Sequence, residues 1–308
     1  MTLPRTARSS PELATADLTL RYGDHTVVSR LELTLPRGGF TVIIGPNGCG
    51  KSTLLRSLAR AVQPSEGSVS LDGRDLASFG RKDLAKRIGI LAQSPVAPAA
   101  ITVADLVARG RHPHQSLLRQ WSRADESAVV SALAEVGMEE LSDRLLEELS
   151  GGQRQRAWIA MALAQETPLL MLDEPTTYLD IAHQIEVLDL LSRLHSDGRT
   201  LVAVLHDLNL AARYASHIVA MRDGVIAAQG SPAEVITPDL LRRVFDLDAL
   251  VLADPETGAP LIVPRDRRGG SRSPAPVPEP DPGPTVPIAP TTPIAAAGSA
   301  AETRSIRS

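Results

Sequence analysis

Gly45 to Thr53 reads GPNGCGKST, and no other stretch of this 308-residue chain restricts its fold as tightly. The apolar run FTVII (Phe40 to Ile44) precedes it, and STLLRSLARAV, with leucines at helical spacing, follows. A G-x-x-x-x-G-K-[ST] loop between a strand and a helix is a phosphate cradle. Its glycines let successive backbone N–H groups curl around a β-phosphate, Lys51 reaches the β- and γ-phosphates, and the Ser52 hydroxyl is placed to ligate Mg²⁺. Gly45, Pro46, Asn47, Gly48, Cys49, Gly50, Lys51, Ser52 and Thr53 are therefore candidate nucleotide-binding residues. Cys49, at a variable position of the loop, reads as a small filler. It is the only cysteine, which excludes an intramolecular disulfide and fits a reducing compartment.

Two further runs, PLLMLDEP (Pro168 to Pro175) and TLVAVLHD (Thr200 to Asp207), are continuously apolar and end in acidic or histidine residues. Strands buried on both faces read this way, and their carboxyl ends build the site of an open parallel sheet. The core is expected to be α/β. Asp173 closes the first run as a second anchor for the metal beside Ser52. Glu174 follows it and is a candidate general base that orients or deprotonates water, while His206 closes the next run at the same edge as a γ-phosphate contact. Upstream, LTLRY, a Gly23-Asp24 turn, HTVV and LELTL predict a small antiparallel sheet. Residues 94 to 158 carry helical patterns without a convincing strand, and RIGILAQ (Arg87 to Gln93) precedes them. Arg222-Asp223-Gly224 predicts a hairpin turn, followed by the helical PDLLRRVF and a strand pair near VLAD and LIVP.

Within the helical region LSGGQRQRAWIA (Leu149 to Ala160) places Ser150, Gly151 and Gly152 at the opening of a helix. The free N–H groups and dipole of a first turn attract anions. No lysine accompanies this second seat, so it predicts a phosphate supplied from elsewhere.

Net charge is −4, with no clustered basic excess, which argues against a nucleic-acid binder. The N-terminus lacks the apolar core of a secretory signal, and no apolar run approaches the roughly 20 residues that span a bilayer. The chain is expected to be organised as an N-terminal tail (1–12), a folded domain (13–266) and a tail (267–308). Nine of the thirty-eight residues after Gly270 are proline and large apolar groups are scarce, so that tail is expected to be disordered.

Taken in order, GPNGCGKST, Gln93 of LAQ, LSGGQ, LLMLDEP with Leu179-Asp180, and VLHD make the chain resemble the ATP-binding subunits of ABC transporters, from about residue 14 to 264. The resemblance implies a P-loop NTPase fold with a RecA-like parallel-sheet core, an antiparallel β subdomain and a helical subdomain at about 94–158. It implies ATP hydrolysis with Mg²⁺, and two copies closing head to tail so that Ser150, Gly151, Gly152 and Gln153 of one meet the γ-phosphate held by Lys51 of the other. It further implies that Tyr22 stacks on adenine, that Gln93 contacts Mg²⁺ or water and reports nucleotide state to a membrane partner, and that Asp180 crosses the dimer interface. Glu174 and His206 match the family's base and γ-phosphate sensor.

ITVADLVARGRHPHQ, SGGQRQRAWIAMALAQ and DEPTTYLDIAHQIEVLDLL are similar to the ATPases of iron(III)-siderophore importers of the ferric enterobactin and ferrichrome type. Such a protein sits peripherally on the cytoplasmic face of the cell membrane, drives a separate permease fed by a substrate-binding protein, and does not bind nucleic acid. By the same likeness ARGRHPH is expected at the permease contact. Haem and vitamin B12 importers share the architecture, and a soluble ABC ATPase acting on DNA or ribosomes is the reading from another class. The Pro/Ala tail departs from the importer group.

Overall fold

The computed structural model describes residues 12–115 and 121–266. The chain divides into two units, Met1–Arg265 and Asp266–Ser308, and the predicted disordered tail lies outside the described residues, as does most of the N-terminal tail. β1 (Leu13–Tyr22) and β2 (His25–Leu35) form an antiparallel hairpin that pairs Leu13 with Leu35 and Tyr22 with His25. β3 (Phe40–Ile44) and α1 (Lys51–Leu58) follow, then β4 (Glu66–Leu71) and β5 (Arg74–Asp75), which complete a four-stranded antiparallel sheet in the order β2-β1-β4-β5. After α2 (Arg81–Ala85) and β6 (Ile88–Leu91) come α3 (Val103–Ala108), α4 (Arg123–Glu135) and α5 (Gly151–Ala164), joined by short 3₁₀ turns. β7 (Leu169–Asp173), α6 (Ile181–Ser196), β8 (Thr200–Val204) and α7 (Leu208–Tyr214) return the chain to the second sheet. The hairpin β9 (His217–Arg222) and β10 (Val225–Gly230), the helices α8 (Pro232–Val235) and α9 (Pro238–Phe245), and the strand pair β11 (Ala249–Ala253) and β12 (Pro260–Pro264) complete it.

The second sheet runs β10-β9-β3-β8-β7-β6, with β9, β3, β8, β7 and β6 parallel and β10 antiparallel to β9. Its central strands β3, β7 and β8 are buried at every position and mostly apolar because both faces are covered. Phe40, Val42 and Ile44 of β3 point into a cluster with α3, α4, α5 and α6, whereas Ile43 points into a second cluster with Leu54, Leu55 and Leu58 of α1 and the leucines of the small sheet. β8 alternates in the same way, Leu201 and Ala203 against Val202 and Val204. The two-faced burial fixes α1, and with it the glycine-rich loop, at one end of β3.

The small sheet is tied to that end by the β9–β10 hairpin. Asp223 and Gly224 have φ of 50° and 78°, the paired left-handed geometry of a two-residue hairpin turn. A Cβ on Gly224 would lie 2.4 Å from the Val27 carbonyl oxygen, and Ser29 N donates to Gly224 O at 3.1 Å. Glycine therefore lets β2 and Val27 approach the sheet edge.

In the helical region one residue of ARGRHPH is held by the chain itself, while Arg109 and His112 stay exposed. Arg111 of ARGRHPH is 3% exposed. Its Nε donates to Asp125 Oδ1 at 3.0 Å, and its Nη1 to Ala164 O at 2.6 Å and Glu166 Oε2 at 2.8 Å. A guanidinium buried and paired in this way binds the 3₁₀ turn Arg109–His114 to α4 and α5 and is not free to meet another protein. His114 Nε2 is likewise bonded to Gln165 O, at 2.9 Å.

Candidate functional site

Strand order β3-β8-β7-β6 brings four distant segments to one sheet edge: the loop after β3, His206 after β8, Asp173 and Glu174 at the end of β7, and Gln93 after β6. They surround a cavity of about 360 Å³ lined by Asn47, Gly48, Gly50, Lys51, Ser52, Thr53, Gln93, Glu174 and His206, and by Val27 from the small sheet. The cradle is already curled. Lys51 is buried at the start of α1, and its ammonium donates to Gly45 O and Pro46 O, both at 2.9 Å. It is thus held inside a ring of backbone groups, as a cation awaiting an anion must be when its own loop carbonyls are its partners. Cys49 is buried below the loop, where burial pushes its thiol pKa up and the nearby Lys51 only partly opposes this, so it stays a neutral packing group.

Glu174 is the centre of the opposite wall. His206 Nε2 lies 2.6 Å from its Oε1, Gln93 Nε2 donates to its Oε2, and Thr177 Oγ1 donates to the same oxygen at 3.0 Å. Its backbone has φ of 54°, a left-handed conformation unusual for a non-glycine residue and typical of functional loops. The carboxylate is oriented from three directions before any substrate arrives. Asp173, one residue earlier, has a fully buried side chain whose oxygens accept no hydrogen bond, and it pairs with Arg56 Nη2 of α1 at 3.2 Å. Asp173 does not itself line the cavity, whereas Ser52 and Gln93 do, and a carboxylate, a hydroxyl and an amide oxygen are hard oxygen donors of the kind Mg²⁺ takes.

Tyr22 stands apart. It ends β1, is half exposed, and is not among the residues lining the cavity; Val27, on the other strand of that hairpin, is. Val27, Thr177 and Arg56 were not legible as site residues, because an aliphatic, a threonine and a helix arginine carry no local signal. What marks them is packing across the chain.

The remaining candidates form a second cluster. Ser150 caps α5: its Oγ accepts from Gln153 N at 3.2 Å and its N–H donates to Gln153 Oε1 at 3.1 Å. No acidic residue occupies the first turn of α5, so the positive end of a 14-residue helix is unneutralised. Asp180 caps α6, accepting from His183 N at 2.9 Å and from His183 Nδ1 at 2.7 Å. Those bonds, backbone first, hold the Asp180 carboxyl below the ordinary carboxylate range. Ser150, Gly151, Gly152, Gln153 and Asp180 do not line the cavity. Within one chain they face something other than the nucleotide cradle beside β3.

A sheet edge with a caged lysine facing an oriented carboxylate belongs to a P-loop nucleoside-triphosphate hydrolase built as a cassette with an added helical region. Residues 28–177 match the family model described as ABC transporter. The chain is 54% identical over 255 residues to the ferric enterobactin transport ATP-binding protein FepC of Escherichia coli (strain K12), covering 82% of this chain and 94% of that one. It is 55% identical over 256 residues to the probable siderophore transport system ATP-binding protein YusV of Bacillus subtilis (strain 168), covering 83% and 93%. The dimeric structure of MJ0796, a bacterial ABC transporter cassette, superposes with a TM-score of 0.63 at 28% identity over 71% of this chain and 98% of that one. This chain belongs to the ATP-binding subunits of ABC transporters and is an ATPase of that family. Among its described residues no helix is long and apolar enough to cross a membrane.

Proposed function

We propose that the chain is the ATP-hydrolysing subunit of an importer for iron(III)-siderophore complexes, acting from the cytoplasmic face of the membrane on a separate permease that a substrate-binding protein supplies. The siderophore assignment is supported by the names of two relatives more than 50% identical over nearly their whole length. For the chemistry, the observation that carries the reading is Glu174, held at the cavity wall by Gln93, Thr177 and His206 opposite Lys51.

In this reading the glycine-rich loop binds ATP phosphates through its backbone N–H groups, and Lys51 exchanges its two loop carbonyls for phosphate oxygens. Glu174 takes the proton of the attacking water, and His206 and Gln93 hold that water and the γ-phosphate in register. Mg²⁺, held by Ser52, Gln93 and Asp173, would neutralise charge on the phosphates. Tyr22 stacks on the adenine at the rim. Ser150, Gly151, Gly152 and Gln153 of a second copy complete the site, because an anion seat without its own cation is useful only against a phosphate that another lysine already holds. Asp180 lies at that junction. The γ-phosphate then joins the copies, and its cleavage releases them, turning hydrolysis into movement of the permease.

Deleting the gene and supplying individual ferric siderophores, haem and vitamin B12 separately under iron limitation tests the assignment. Growth is expected to fail on one or more ferric siderophores alone. Normal growth on all of them, with a defect on haem or vitamin B12, would reassign the substrate.

A further inference from the structure

The family motifs do not account for His183. It lies in the first turn of α6, and its side chain reaches back to the turn at Ser150–Gly152: a Cβ built on Gly152 would lie 2.3 Å from His183 Cδ2 and 2.8 Å from Cγ. The ring is fixed from its other side, since Nδ1 is bonded to Asp180 Oδ1 at 2.7 Å and the His183 N–H donates to the same oxygen at 2.9 Å. One residue before Asp180, Leu179 Cδ2 comes within 3.8 Å of the equivalent position on Gly151. Both glycines at the start of α5 therefore rest on the segment that opens α6.

We propose that His183 is a positioning residue, a strut that carries the placement of Asp180 to Gly152 and so fixes the anion-binding turn at Ser150 relative to the opening of α6. The inference rests on the composite-site reading above and deepens it. Two helices with their positive ends side by side repel each other and have no reason to keep a set spacing. Asp180 neutralises one of them, and the imidazole fills the gap to the other, leaving the N–H groups of the α5 turn pointed outward for a phosphate. Preorganisation of this kind lowers the cost of binding, because the seat need not be ordered when the second copy arrives. It also supplies an intrachain reason for glycine at 152: any side chain there strikes the ring.

The test uses the full chain carrying Glu174→Gln, with ATP-driven dimerisation followed by light scattering and affinity of the monomer for a fluorescent ATP analogue measured separately. Adding His183→Ala is expected to raise the ATP concentration for half-dimerisation about tenfold, the scale of one lost charge-assisted hydrogen bond with its packing, and to leave monomer affinity within about twofold, because the cradle is elsewhere. Gly152→Ala is expected to abolish dimerisation, and Gly152→Ala with His183→Ala to recover part of it, since the obstructing ring is gone. His183→Phe keeps a ring but cannot bond Asp180, so it is expected to lose dimerisation as His183→Ala does. Parental dimerisation by His183→Ala or His183→Phe, or absence of recovery in the double variant, overturns the role of His183 alone. Failure of the Glu174→Gln parent to dimerise with ATP overturns the composite site, and this role with it.

Discussion

Replacing Glu174 with glutamine changes one atom in shape and removes one charge. In the native site Oε1 faces His206 Nε2 at 2.6 Å, and Oε2 accepts from Gln93 and from Thr177 Oγ1. An amide retains one acceptor oxygen, so it cannot accept from His206 as well as from Gln93 and Thr177. If the amide nitrogen takes the His206 side, the imidazole, about half exposed, turns away or changes tautomer, and the cost stays near the lower end of a lost hydrogen bond, about 1 kcal/mol. The melting temperature is then expected to fall by only about 2 to 4 °C. The kinetic effect is of another order. A carboxylate acting as general base contributes about 10²- to 10⁴-fold, or about 2.7 to 5.4 kcal/mol of barrier at about 1.36 kcal/mol per decade. Phosphate release at saturating ATP is therefore expected to drop by at least about 100-fold, with nucleotide affinity retained because Lys51 and its loop are untouched. Turnover within a few-fold of the parent would refute the base assignment. Loss of nucleotide affinity together with turnover would show that the carboxylate supports the cavity and does not act on water.

Arg111→Met, which keeps the side-chain volume but removes the cation from the buried Asp125 carboxylate, is expected to cost about 3 kcal/mol and lower the melting temperature by about 6 to 12 °C in calorimetry. The Ser122 hydroxyl, then Arg111 against the opposing effect of burial, holds the Asp125 carboxyl below its usual 3.8, so stability from its ionised form is present above about pH 4 and fades as pH falls through the lowered value. The gap between variant and parent should accordingly narrow below about pH 4 in acid denaturation. Gly45→Ala would put a methyl 2.4 Å from Met221 O and 2.7 Å from Cys49 Sγ, and is expected to weaken nucleotide binding at least about tenfold, measured by titration, with a destabilisation of about 1 to 3 kcal/mol. Removing residues 267–308 is expected to leave ATPase rate and melting temperature within error of the full chain, since Ile262 is the last core side chain among the described residues.

Much of the sheet could be read from the sequence because burial on both faces removes the polar half of the strand pattern: FTVII, LLMLD and TLVAV are each apolar at four of five positions. The β9–β10 turn was legible for a different reason, since Asp223-Gly224 can take the left-handed geometry at little cost. Strand order was not legible. Which of the parallel runs stands next to β3 is decided by side-chain packing between segments more than a hundred residues apart, so the strand ends placed His206 and Glu174 at one edge but did not announce that the two side chains meet. The role of Arg111 was not legible for a related cause. Arg111 meets Asp125, Ala164 and Glu166, which lie 14, 53 and 55 residues away, and no local pattern announces a buried guanidinium.

The separation of the two clusters bears on how such a chain avoids futile hydrolysis. One cluster contains the cation and the oriented carboxylate but opens to solvent through its cavity; the other contains an unneutralised helix end and no cation. Neither is complete by the rule that phosphoryl transfer needs charge stabilisation on every side of the moving group together with exclusion of bulk water. On the reading proposed above, completion requires a second copy, and the second copy is recruited only by the γ-phosphate. A single chain is then a slow hydrolase by construction. Its rate per subunit is expected to rise with protein concentration at fixed saturating ATP, approaching a square dependence in total rate while the dimer is a minor species. A specific rate independent of concentration from nanomolar to micromolar, in a sample that light scattering shows to be monomeric, would mean that one chain completes its own site, and the seat at Ser150 would need another anion.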